Sequence, residues 1–229
     1  MPVLLTALPR DLDIVREIAA ILVQDGGEVR CYLEDDDHEL RNLGCKIAVG
    51  SLLDPANLQG ALSNVHTFMP LMPDALSVDE EGLGHLRDFG LVAAEAARYS
   101  DAEQTILVLT GLGSAGSALS TVTTQILQAF EAVDPVCVLR PGIVWGSERP
   151  LKAHPSVALQ DPYLEGLHVG DLAREVAAAD DREGTKGSWG LVGSPAASSE
   201  HIEAGVEAST LSALKGLAPS LSKLKALAE

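Results

Sequence analysis

The sequence predicts an α/β fold: a doubly wound parallel sheet, built as a single domain over residues 1–229. Three observations carry that prediction. Short runs rich in Val, Leu and Ile alternate along the chain with segments whose apolar residues recur at helical spacing. Such alternation is what strand–helix–strand units with right-handed crossovers require. One run, Thr105 to Thr110, is almost continuously apolar, as a strand covered on both faces must be. Composition agrees, since 46% hydrophobic residues in 229 suffice to bury a full central sheet. With aromatics at only 3%, that core must be aliphatic.

The elements follow in order. Val3 to Thr6 is the first strand, ending at Ala7-Leu8-Pro9. From Asp11 to Gln24, Ile14, Ile18, Ile21 and Leu22 form one helical face, and Gly26-Gly27 stops the helix. Glu28 to Leu33 is the second strand, closed by Glu34-Asp35-Asp36-Asp37. A short helix leads to Leu43-Gly44, and the third strand runs from Lys46 to Val49. Asp54 caps a helix with Pro55 at its first position, ending near Ser63. Val65 to Leu71 is the fourth strand, and Glu80 to Tyr99 a long helix. After the fifth strand a Gly/Ser loop precedes a helix from Ala118 to Ala132, and Val136 to Leu139 is the sixth strand. Gly146 to Gly166 is loop-rich and expected over the sheet's carboxyl edge. The Leu/Ala/Lys-rich tail, about 209–229, predicts a terminal helix interrupted at Pro219.

Charge narrows the functional classes. With 33 acidic against 16 basic residues the net charge is −17, which repels phosphate backbones and anionic membranes. Nucleic acid and membrane are therefore not expected as partners; solubility is the plain reading of the acidity, and a basic protein partner or a homodimer is the alternative. The three cysteines, Cys31, Cys45 and Cys137, suggest neither a disulfide framework nor zinc, and Cys31 and Cys137 sit in apolar runs as small hydrophobes. The first apolar run is too short for a signal peptide, and Thr105 to Val122 is broken by Gly and Ser, unlike a membrane span. A cytoplasmic protein is the expectation, with an organelle left open.

Three segments in register resemble the extended and atypical short-chain dehydrogenase/reductase superfamily, including its NmrA-like and epimerase-like branches. They are Gly50-Ser51-Leu52-Leu53-Asp54-Pro55-Ala56-Asn57-Leu58, Leu139-Arg140-Pro141-Gly142-Ile143-Val144-Trp145-Gly146 and Leu167-His168-Val169-Gly170-Asp171-Leu172-Ala173. The match spans roughly residues 1 to 205 and implies a Rossmann-type fold. If the family's cofactor site is retained, it implies NAD or NADP held by Thr6, Arg10, Glu34, Leu52, Thr110, Gly111, Gly113 and Pro141.

The departures bear on chemistry. Where the family has Thr-Gly-x-x-Gly-x-x-Gly, this chain has Thr6-Ala7-Leu8-Pro9-Arg10-Asp11-Leu12-Asp13, without glycine. Side chains would fill the diphosphate space, Pro9 lacks an N–H, and Asp11 and Asp13 repel an anion. Arg10 is the one residue there that could contact phosphate. Glu34 and the aspartates after it disfavour NADP and leave NAD as the dinucleotide for this route. Ser51 stands where the family has its adenine-contacting Asp. The family's Tyr and Lys, four residues apart, fall at Ala118 and Val122, so its proton donor is missing.

Gly111-Leu112-Gly113-Ser114-Ala115-Gly116 reads literally as G-x-G-x-x-G after a buried strand, with Arg140 placed to suit a 2′-phosphate. The alternative is a tight turn at the sheet's carboxyl edge. His168 belongs to the fold pattern and is expected to be structural, and the Glu34–Asp37 run to be a solvated turn rather than a cation site. Trp145, Trp189, Met69 and Met72, the methionines in the loop after the fourth strand, are expected to fill vacated pocket space. The function expected is non-catalytic, a binding, scaffold or assembly subunit without cofactor. A divergent NAD(P)-dependent oxidoreductase or epimerase, or an NmrA-like dinucleotide sensor, is the alternative.

Overall fold

Aliphatic residues placed so that both faces of a strand can be covered define the centre of the sheet. In the computed structural model, which describes residues 1–73, 79–110, 116–141, 144–145, 167–180, 186–191 and 225–226, β4 (Thr67–Met72) and β5 (Gln104–Leu109) are buried at every position. β1 (Pro2–Ala7) is buried from Val3 onward. β2 (Glu28–Leu33), β3 (Lys46–Val49), β6 (Val136–Pro141) and β9 (Gly187–Leu191) extend the sheet to the order β3-β2-β1-β4-β5-β6-β9, all parallel. β10 (Lys225–Ala226) joins β9 antiparallel, and β7 (Val144–Trp145) pairs with β8 (Leu167–His168) separately.

Parallel pairing forces every connection across a face, and helices cover both. One core lies between the sheet and α1 (Leu12–Gln24), α2 (His38–Leu43) and α6 (Val169–Asp180), with Leu5, Ile14, Ile18, Ile106 and Val176 at its centre. The other lies beneath α3 (Pro55–Ala61), α4 (Glu80–Arg98) and α5 (Ala118–Phe130), around Phe68, Phe89, Leu107, Ile126 and Phe130. α4 and α5 pack so closely that a Cβ on Gly90 would stand 2.6 Å from Ile126.

Local signals set the helix ends. Asp54 accepts from the Ala56 and Asn57 amides with Pro55 at the first position. At the end of α1, Gly26 takes φ +84° and the Gly27 N–H reaches the Leu22 carbonyl at 2.8 Å. Among the described residues, no helix is long and apolar enough to cross a membrane.

Several expectations are corrected. Met69 and Met72 are strand residues of β4, fully buried in the two cores and not in a loop: Met69 falls inside the strand expected from Val65 to Leu71, and β4 runs one residue further, to Met72. Pro70 interrupts the β4–β5 ladder, which skips Met69 and Pro70, for proline has no N–H to give. In the tail, Lys225–Ala226 pair with the open edge of β9 as a short strand where helix is expected, and the rest of 209–229 lies outside the described residues. The Gly146 to Gly166 segment lies outside the described residues.

The acidic run after β2 is not uniformly solvated either. Asp37 is buried, caps α2 through the Leu40 amide at 2.9 Å, and takes the Arg16 guanidinium of α1 at 2.8 Å. Burial opposes its charge, but Arg16 and the Leu40 and Glu39 amides outweigh burial and hold the carboxyl below its ordinary range. Asp37→Ala therefore should cost about 2–4 kcal/mol near neutral pH, combining a lost cap with a stranded Arg16. Because the folded carboxyl is depressed, this contribution is present above about pH 4 and fades as pH falls further. Urea unfolding at both acidities checks the loss and its disappearance in acid.

Candidate functional site

In open α/β sheets, ligands bind beyond the carboxyl ends of the strands where strand order reverses, here between β1 and β4. The chain leaves β1 through Leu8, in an extended conformation at φ −65° and ψ 152°, and enters a 3-10 turn at Pro9–Asp11. The Asp11 N–H bonds to the Leu8 carbonyl at 2.8 Å, and the Leu12 N–H bonds to the Pro9 carbonyl. Pro9 has no N–H. At this helix start the Asp11 and Leu12 amides are therefore engaged within the turn, and Pro9 has none to offer an anion.

Side chains complete the closure. Leu8 turns inward and shares a core cluster with Leu4, Tyr32, Leu52, Phe68 and Met72. Asp11 is fully buried, with its carboxylate 3.7 Å from Arg10 Nε. Asp13 puts a second carboxylate in the first turn of α1. The positive end of the helix dipole thus faces the chain's own acids.

Glu34, Thr6, Thr110 and Pro141 lie at or just past the carboxyl ends of β2, β1, β5 and β6, along the edge of the sheet. Glu34 follows β2 and is exposed. Thr6 is buried near the end of β1, and its Oγ1 has no hydrogen-bond partner among the described residues. Thr110 is buried, its N–H bonded to the Met72 carbonyl at 2.9 Å. Thr110 and Pro141 each follow the paired Val108 and Leu139 by two residues. Arg10 stands in the turn beside Asp11, whereas Leu52 is buried in the core beneath α3. Gly111 and Gly113, and the side chains of Trp145, His168 and Trp189, lie outside the described residues. Arg140 is half-buried; burial lowers its pKa, and its Nε has no hydrogen-bond partner among the described residues.

Ala118 opens α5 at this edge and is exposed, while Val122, one turn on, packs against the core. The backbone spacing for a Tyr–Lys pair is present, but these two positions carry no titratable group. Among the described residues no group of three His, Cys, Asp or Glu side chains is placed to hold a metal.

Sequence reasoning missed Tyr32. Its hydroxyl donates to the Ser51 carbonyl at 3.0 Å, and its ring covers Gly50, where a Cβ would stand 2.4 Å from that hydroxyl. Burial, then the nearby Asp54 charge, raises its pKa, so the phenol stays protonated. The signal available was an aromatic near the end of β2 with a glycine just past β3. Gly50→Ala should displace the ring and cost about 1–3 kcal/mol. Tyr32→Phe should cost about 1 kcal/mol, the hydrogen bond alone. Thermal unfolding of both variants checks the order.

No protein-family model matches the chain, and no curated protein does. Solved structures do. MoeE5 in complex with UDP-glucose and NAD aligns with a TM-score of 0.65 and 17% identity, over 96% of this chain and 83% of its own. WbmH from Bordetella bronchiseptica, in complex with NAD+, aligns at 0.64 and 15%, over 83% and 75%. UDP-glucose 4-epimerase from Bifidobacterium longum, in complex with NAD+ and UDP, aligns at 0.63 and 15%, over 84% and 78%. The β1–α1 turn described above does not fit a dinucleotide diphosphate: the Asp11 and Leu12 amides are engaged, Pro9 has no N–H, Leu8 is buried in the core, and carboxylates stand at the helix start. The chain has the Rossmann-type fold of these solved structures.

Proposed function

We propose that this chain is a non-catalytic Rossmann-type protein that acts as a binding, scaffold or assembly subunit. The observation that carries this reading is the closed β1–α1 turn, in which the Leu8 and Pro9 carbonyls take the amides of Asp11 and Leu12. Ala118 and Val122, without a proton to exchange, support it. A net charge of −17 suits a basic protein partner.

A second reading, a divergent NAD-dependent oxidoreductase or epimerase, is favoured by the likeness to MoeE5, WbmH and the Bifidobacterium epimerase, all solved with NAD or NAD+. It requires a dinucleotide held without the β1–α1 amides, with exposed Glu34 available to the ribose hydroxyls. The solved-structure likenesses weigh for this reading; the turn weighs against it.

Isothermal titration with NADH and NADPH separates the two. The proposal expects no saturable heat from either up to about 1 mM. Saturable binding without turnover would point to a dinucleotide sensor. Turnover of a carbonyl or UDP-sugar substrate with bound dinucleotide would overturn the proposal, with NADH preference pointing to Glu34 and NADPH preference to Arg140.

A further inference from the structure

At the amino end of the sheet, where α3 leads into β4 and α4 into β5, the two helices flank a cleft of about 330 Å³. One wall is Ala56, Gln59, Gly60 and Ser63, which recur at helical spacing along α3 and just past it. The other is Tyr99 and Asp101, which follow α4. Gln59 Nε2 donates to the Tyr99 carbonyl at 2.7 Å and ties one wall to the other. Ala56 and Gly60 keep the hollow open, and a Cβ on Gly60 would meet nothing within 4 Å.

The lining offers three hydrogen-bond acceptors and a negative field. Asp101 is exposed, and its carboxylate has neither a hydrogen bond nor an ion pair among the described residues. Gln59 gives its amide N–H to Tyr99 and keeps Oε1, and Ser63 Oγ is likewise unengaged among the described residues. No described Lys or Arg lines the cleft, and the last turn of α3 has no basic residue. α4 ends at the cleft too, so its negative dipole end adds to the charge of Asp101. The Tyr99 ring is 60% exposed and already attracts a cation: the Arg98 guanidinium stacks on it, 5.4 Å from the ring centre, from outside the cleft.

We propose that this cleft between α3 and the end of α4 binds a primary alkylammonium group, the chemistry shared by a lysine side chain and a polyamine. The three N–H groups of such a cation match the Asp101 carboxylate, Gln59 Oε1 and Ser63 Oγ. Its methylene stem matches Ala56 and the Tyr99 ring. An anion would meet the Asp101 charge and the helix end with no cation in the lining to offset them.

The cleft lies at the opposite end of the strands from the β1–α1 turn, so its occupancy does not depend on what that turn holds. The net charge of −17 raises the local concentration of any cation that approaches. Asp101 and the Tyr99 ring then select among those cations by charge and by stem.

The test is amide-resolved NMR of the full chain titrated with butylammonium chloride, with sodium chloride at equal ionic strength and neutral 1-butanol as controls. The expected result is saturable shifts at Gln59, Gly60, Ser63, Tyr99 and Asp101, with a Kd on the order of a few mM, absent from both controls. Asp101→Asn should weaken binding about fivefold and Tyr99→Leu about threefold. Gly60→Leu, which fills the hollow and favours the helix, should abolish binding without lowering Tm. All three positions are exposed, so the variants keep the fold. Spermidine and a Gly-Lys-Gly peptide blocked at both ends separate the sources: tighter binding of the first assigns a free polyamine, of the second a lysine side chain. Shifts matched by sodium chloride or 1-butanol, no saturation below about 50 mM, or binding untouched by Asp101→Asn would overturn the proposal.

Discussion

The burial of β1 on both faces, between β2 and β4, is the constraint from which the rest follows. A parallel strand so placed cannot return by a hairpin, so the chain must cross a face after it. Because β2 lies on one side and β4 on the other, the crossovers diverge at the carboxyl end of β1. The chain's one crevice dictated by topology is therefore opened there. What stands in the turn after Ala7 then decides what that crevice can hold.

In this protein the turn is spent on structure. Leu8 adds to the apolar core, Pro9 fixes the entry, and the Asp11 and Leu12 amides close the 3-10 turn on themselves. A glycine-rich turn leaves such amides pointing outward and relies on a ligand to satisfy them. Tyr32 extends the same trend, its ring over Gly50 and its hydroxyl on Ser51. The edge is not wholly apolar, since Thr6 Oγ1 and Arg140 Nε, both without a hydrogen-bond partner among the described residues, lie along it.

Much of this was legible in the sequence. The parallel α/β sheet followed from alternating periodicities, and the Asp54-Pro55 and Gly26-Gly27 signals placed helix ends within a residue or so of those observed. The loss of phosphate glycines was visible by inspection of Thr6 to Asp13. What the sequence hid were tertiary choices. The pairing of Lys225–Ala226 with β9 depends on an open edge, which no local propensity reveals. Asp37 resembled its exposed neighbours until α1 brought Arg16 to it.

The central claim, that the β1–α1 turn does not receive a diphosphate, is tested most directly by amide-resolved NMR of the chain titrated with NAD+. The account predicts that the Leu8, Arg10, Asp11 and Leu12 amide signals hold their positions throughout. Saturable shifts confined to those amides would contradict it, for they would show the turn opening to place its N–H groups on the ligand.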